Sequence, residues 1–221
     1  MTPTPVEYVL GSRSPQRLNL LKQLVPEKTI TVCPPLNSDE LGFGDAIDSQ
    51  KIENRLLENA RGKCEDVMRQ RRDDPSQSVV ITADTVIVAR DQNDRPVVLG
   101  QPAGDDTIWK ETVRRWFREF LAGKTHIAMT AVCVAGFNGP QIERIAKTCV
   151  TFHEENIELL EWYLATGEPR GKAGGYAIQG KGSLFVSRVE GSLSNVIGLP
   201  LEVLREMFLE IGIERDHNKK L

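Results

Sequence analysis

Short apolar runs alternate along the chain with stretches in which apolar residues recur every three or four positions, a pattern of strands and helices in turn. Residues 6–10 form the first extended run. Ser14 and Pro15 then supply an N-cap and a favoured first helical residue for a helix reaching about Leu24. A second extended run at 29–33 leads into a loop containing Pro, Asp and Gly. Beyond it, Ile52, Leu56, Ala60, Cys64 and Val67 mark one face of a long helix whose charged opposite face is expected in solvent. The β-branched run 79–88 breaks at Asp91-Gln92-Asn93-Asp94, a turn composition, and resumes at 97–99, which predicts a hairpin. Trp109, Val113, Trp116, Phe117 and Phe120 fall at helical spacing and read as a core-facing stripe. Two long strands, 125–135 and 142–152, are expected to join at Asn138-Gly139-Pro140, followed by a helix over about 155–165. A glycine-rich loop, a strand near 184–189 and a helix over about 201–211 complete a chain without repeats or a low-complexity linker; residues 191–195 read as a turn. The alternation implies an α/β class with a mixed sheet.

With 40% hydrophobic and 27% charged residues, the 221-residue chain can bury one substantial core, and one domain over 1–221 is expected. Its 28 basic residues against 31 acidic ones leave a net charge of −3, so no global positive field recruits nucleic acid or an anionic membrane. Phosphate recognition must therefore be local. Four scattered cysteines without a CxxC pair, and three histidines without metal-ligand spacing, argue against zinc and for a reducing compartment, the cytosol. No basic segment with an apolar core marks the N-terminus for export, and no apolar stretch is long enough to span a bilayer. The ending Lys219-Lys220-Leu221 departs from a peroxisomal signal at its first residue and reads as a solvated basic tail.

Five places carry chemistry. Arg13 and Arg17 flank the start of the first helix, where cations face the positive end of the helix dipole and an anion would reverse the sign. With the hydroxyls of Ser12 and Ser14 and the free N–H groups of the first turn, they form either a polyphosphate cradle or a solvated arginine pair. Asp84 lies inside the apolar run 79–88, where burial of a carboxylate costs several kcal/mol unless it is paired, hydrogen-bonded or metal-bound. A structural salt bridge and a ligand site are the two readings. Asp39 and Glu40 offer further hard oxygen donors of the kind Mg²⁺ or Mn²⁺ prefers together with phosphate oxygens and water. Lys63, seven residues after Leu56, either snorkels from the buried helix face or meets an anion. The segment 168–180 joins a close-approach glycine backbone to one acid, two bases including Lys172, and the amide of Gln179; it lacks the spacing of a P-loop.

These segments, in this order, resemble the Maf family of nucleotide pyrophosphatases, a likeness covering nearly the whole chain. Its carriers are Gly11-Ser12-Arg13-Ser14-Pro15-Gln16-Arg17, Ser38-Asp39-Glu40, Ala60-Arg61-Gly62-Lys63, Ala83-Asp84-Thr85-Val86, Gly123-Lys124-Thr125-His126, the 171–180 loop and Gly198-Leu199-Pro200-Leu201. The resemblance implies an elongated, inosine triphosphatase-like α/β fold with two lobes around a cleft, and a homodimer. It also implies phosphate binding by Arg17, a loop acid at Glu40, a helix lysine at Lys63, a proton-accepting carboxylate at Asp84 and a base-pocket amide at Gln179. Two departures each remove a positive charge: Gln16 stands where the family commonly has arginine, and Gln101 where its G-K-P has lysine. At three places where the dTTP/UTP branch carries Arg, Thr and Gln, and the 7-methyl-GTP branch Trp, Gln and Glu, this chain has Gln16, Thr85 and Gln179. Two of the three follow the pyrimidine branch.

The expected reaction is hydrolysis of a nucleoside triphosphate to the monophosphate and pyrophosphate. A divalent ion on Glu40 and Asp84, Asp84 as base, and Arg17 with Lys63 against developing charge would carry it. The alternatives are a nucleotide-binding regulatory protein that hydrolyses little, suggested by Gln16 and Gln101, and a pyrophosphatase of altered base choice such as 7-methyl-GTP.

Overall fold

The computed structural model describes residues 6–37, 40–44, 48–72, 78–136, 139–154 and 156–213. Ser38, Asp39, Asn138, Glu155 and the tail 219–221, each within a segment named above, lie outside the described residues. Among the described residues, seven strands make one mixed sheet: β1 (Glu7–Leu10), β2 (Ile30–Val32), β3 (Ser78–Arg90), β4 (Pro96–Leu99), β5 (Thr125–Gly136), β6 (Gln141–Phe152) and β7 (Val186–Glu190). The order is β2-β1-β3-β5-β6-β7, with β4 also on β3. β1 runs parallel to β2 and β3, and every other pairing is antiparallel. The helices are α1 (Pro15–Leu24), α2 (Ser49–Gln70), α3 (Asp106–Trp116), α4 (Ile157–Ala165), α5 (Leu193–Ile197) and α6 (Leu201–Glu210). The α/β class with a mixed sheet is thus the observed one.

β3 organises the molecule because it is covered on both faces, which is why its sequence reads as one apolar run without alternation. Val79, Ile81 and Ala83 pack with α1 and α6 residues such as Leu21 and Leu204, whereas Val80, Val86 and Val88 pack against Ile52, Leu56 and Ala60 of α2. Further along, Ile87 and Ala89 join a third core with Trp109, Val113 and Trp116 of α3. One edge of β3 is paired with β5 throughout 79–88. The other edge pairs with β1 only as far as Leu10↔Ile81 and with β4 only from Ile87↔Leu99. Among the described residues no strand pairs with 82–86 on that side, and Asp84 stands at the centre of the gap.

Several local expectations are refined. The 191–195 segment is not a simple turn: Ser192 caps α5 by accepting the N–H of Asn195 at 3.0 Å, and Asn195 is fully buried. The aromatic stripe begins in α3 and ends in a π turn, Phe117–Leu121, which keeps both Phe117 and Leu121 in the core. Residues 29 and 184, read as strand, belong to short 3₁₀ turns leading into β2 and β7. Nor are the polar side chains of α2 all solvated. Gln70 donates to Pro34 O, Asp66 accepts from Asn37 N, Lys63 pairs with Glu40, Asn59 binds Leu41 and Arg55 donates to Gly42 O. Spaced by one helical turn, these side chains lay the loop after β2 back along the helix. The cysteines 33, 64, 133 and 149 are all free thiols, and among the described residues no helix is long and apolar enough to cross a membrane.

Candidate active site

The gap in β3 is the floor of a cleft of about 690 Å³. It opens at the carboxyl end of β1, where the chain leaves the sheet for α1, the position at which open α/β sheets take ligands. Gly11 makes this exit tight: its N–H donates to Ile81 O at 2.8 Å, and a Cβ would stand 2.5 Å from the Thr82 methyl.

Neighbouring β3 residues point to opposite faces, and the site uses both. Asp84, 6% exposed, faces α2. Its Oδ1 accepts from Lys63 Nζ at 2.8 Å and its Oδ2 from Asn59 Nδ2 at 3.1 Å. Lys63 also meets Glu40 Oε1 at 2.6 Å, so one ammonium is shared by two carboxylates; the Glu40 side chain is 53% exposed. The burial cost of Asp84 is therefore offset by an ion pair and an amide, and Lys63 meets anions rather than snorkelling.

Thr85 faces α1. Its Oγ1 accepts from Arg17 NH2 at 3.0 Å, while Arg17 Nε donates to Gly198 O at 2.8 Å and NH1 to Ser12 Oγ at 3.4 Å. Every acceptor is neutral, and among the described residues no carboxylate forms an ion pair with this guanidinium. Burial draws the Arg17 pKa down, and the fields of Asp84 and Glu40 push it back up. An arginine stays charged under such a load, so the site holds, beside an open cleft, a cation that no described carboxylate pairs directly and that only the fields of Asp84 and Glu40 balance. Ser14 caps α1 by accepting from Arg17 N and donates its hydroxyl to Gln16 Oε1 at 3.0 Å; Arg13 donates to Pro35 O at 3.1 Å. The remaining sequence-selected residues, Gln101, Lys172 and Gln179, line the same cleft from the segments after β4 and α4. Gly174, at φ +67°, donates to Gly100 O at 3.0 Å and lies where a Cβ would be 2.7 Å from Ile87. That close approach holds the glycine loop over the floor.

Four cations (Arg13, Arg17, Lys63, Lys172) face two carboxylates (Glu40, Asp84) among the cleft-lining residues. A chain of net charge −3 thus turns a local positive surface to this cavity, with the N-terminus of α1 adding to it. Sequence reasoning missed three residues here. Asn59 lies three positions after Leu56, on the apolar face of α2, and that placement was the available signal. Thr130 and Asn195, both fully buried, support Thr85: Thr130 Oγ1 is 3.0 Å from Thr85 Oγ1 and donates to Asn195 O at 3.2 Å. They carry no charge, and nothing in their spacing sets them apart.

A family model described as Maf-like protein matches residues 7–211. The chain belongs to the Maf-like family. This Maf-like chain is 35% identical over 211 residues to a dTTP/UTP pyrophosphatase of Caldicellulosiruptor bescii (strain ATCC BAA-1888 / DSM 6725 / KCTC 15123 / Z-1320), covering 93% of this chain and 95% of the relative. It is 37% identical over 196 residues to a dTTP/UTP pyrophosphatase of Anaeromyxobacter dehalogenans (strain 2CP-1 / ATCC BAA-258), covering 87% and 88%. Among solved structures, a HAM1 protein from Coxiella burnetii superposes with a TM-score of 0.51 at 14% identity, over 93% of this chain and 100% of that one. That likeness is one of fold, and it agrees with the fold class the resemblance implied.

Proposed function

We propose that this Maf-like protein hydrolyses dTTP, UTP or related modified nucleotides to the monophosphate and pyrophosphate, in the cytosol, as a nucleotide-pool enzyme. One observation carries the reading: a buried carboxylate, Asp84, and an arginine with no direct ion pair among the described residues, Arg17 on Thr85, stand on opposite faces of the same two-residue step, Asp84-Thr85, in the floor of a cationic cleft. Relatives named dTTP/UTP pyrophosphatase support the substrate class.

Arg17 and the N-terminus of α1 bind and orient the polyphosphate, with Ser12 and Ser14 completing the cradle. Asp84 holds a water and takes its proton as the oxygen attacks the α–β linkage. Lys63 carries positive charge to the phosphate side of Asp84 and offsets charge developing in the transition state. Gln179 and Thr85 contribute to base choice, the amide donating to a uracil-type carbonyl and accepting from its imide N–H.

The donor set fits Mg²⁺ or Mn²⁺. Asp84 and Glu40 are hard oxygen ligands brought together at one ammonium, and among the described residues no third carboxylate, His or Cys joins them. Two carboxylates completed by water and phosphate oxygens is a coordination Mg²⁺ accepts. When bound, such an ion neutralises phosphate charge and lowers the pKa of coordinated water. Free thiols support the cytosolic setting, and the homodimer rests on the family resemblance alone.

The test is product analysis over a nucleotide panel including dTTP, UTP, ATP and 7-methyl-GTP with Mg²⁺ or Mn²⁺. Stoichiometric monophosphate and pyrophosphate, abolished by EDTA and restored by the metal, are expected. Orthophosphate as the primary product would contradict the pyrophosphatase reading, and binding without turnover across the panel would favour the nucleotide-binding regulator suggested by Gln16 and Gln101.

A further inference from the structure

Asn59 stands among apolar residues on the inner face of α2, between Leu56 and Ala60, and is 6% exposed. All of its described side-chain hydrogen bonds go to the site. Its Oδ1 accepts from Leu41 N at 2.8 Å, and its Nδ2 donates to Leu41 O at 3.2 Å and to Asp84 Oδ2 at 3.1 Å. The carboxamide orientation follows from these partners. Reversed, its oxygen would face both a carboxylate and a carbonyl, and its NH₂ would face an N–H. A carboxylate here would repel Asp84, and an aliphatic side chain would satisfy neither backbone group of Leu41.

Leu41 follows Glu40 directly. The amide therefore closes a ring: Asp84 to Asn59, Asn59 to the backbone beside Glu40, Glu40 to Lys63, and Lys63 back to Asp84. Glu40 is otherwise an exposed side chain on a loop, and a lysine ion pair alone fixes such a group weakly. We propose that Asn59 is a positioning residue that fixes the Glu40 loop and the Asp84 carboxylate relative to each other. It acts on the geometry of the two carboxylates and touches no substrate. The inference rests on the pyrophosphatase reading above.

Three variants of the full chain test it: Asn59→Leu, Asn59→Asp and Asn59→Gln. Each is assayed for kcat and KM on the nucleotide that the wild type hydrolyses, for Tm, and for amide exchange at Leu41. A positioning role predicts a kcat loss of about 10- to 100-fold in Asn59→Leu and Asn59→Asp with KM changed less than about threefold. Loss of Leu41 protection without loss of protection in β3 should accompany it, and Asn59→Gln, which keeps the amide, should recover part of kcat. Wild-type kcat in a folded Asn59→Leu or Asn59→Asp overturns the inference, whether or not Leu41 loses protection. A kcat loss matched by equal loss of β3 protection also overturns it, because that is general destabilisation. If the wild-type chain releases no pyrophosphate from any nucleotide, the pyrophosphatase reading itself fails, an outcome distinct from an active wild type with active variants.

Discussion

His126 shows how a single buried side chain ties the site to solution conditions. It is 1% exposed on β5, with Nε2 2.9 Å from the hydroxyl of Tyr176, a cleft-lining residue, and with the rings of Phe152 and Tyr176 packed edge-on against it. Burial pushes its pKa down to about 3. The unfolded chain takes up that proton near pH 6.5, so between the two values the unfolded state binds more protons and stability falls as pH falls. From pH 7.5 to 5.0 this one group should remove about 2 kcal/mol. Urea unfolding of wild type and His126→Gln at both pH values checks this: the variant should lack that part of the slope, and equal slopes would contradict it. At this scale the site was legible wherever charge met apolar sequence. Asp84 within 79–88 and Lys63 on an apolar helix face stood out because burying either requires a partner. Asn59, Thr130 and Asn195 did not, because neutral polar side chains bury at modest cost once hydrogen-bonded.

At the scale of elements, α5 is the least expected and carries a structural role. Asn195 donates to Ala128 O of β5 at 3.0 Å and to Thr148 Oγ1 of β6 at 2.9 Å, stitching a five-residue helix to two strands beneath Thr85. Asn195→Ala strips these bonds from a fully buried position, and a loss of about 2–3 kcal/mol is expected. Thermal unfolding reads this as a Tm lowered by about 4–12 °C; an unchanged Tm would show that solvent or neighbours replace the amide. The long elements were legible from periodicity and caps, as with Ser14 and Pro15 before α1 and the 79–88 run within β3. α5 was not, because five residues make little more than one turn and its start, Gly191-Ser192, has the composition of a loop. The polar face of α2 was misjudged for a related reason: a helix that anchors a loop and a helix facing water share the same charged residues.

For the whole molecule, the sheet's irregularity matters more than any single strand. β1 ends at Leu10 and β4 begins pairing at Leu99, which among the described residues leaves 82–86 of β3 without a paired strand on one edge and sets Asp84 in the floor of the cleft. Strand lengths read from sequence contain this gap only implicitly, since pairing partners are not visible in a single chain. Around it, a protein of net charge −3 gathers four cations against two carboxylates. The proposed role of Asp84 is that of proton acceptor in a pyrophosphatase. It is tested most directly by comparing kcat of wild type and Asp84→Asn on dTTP or UTP, with matched Tm and circular dichroism. A loss of at least about 100-fold in a folded variant is expected; turnover within threefold of wild type would contradict the assignment.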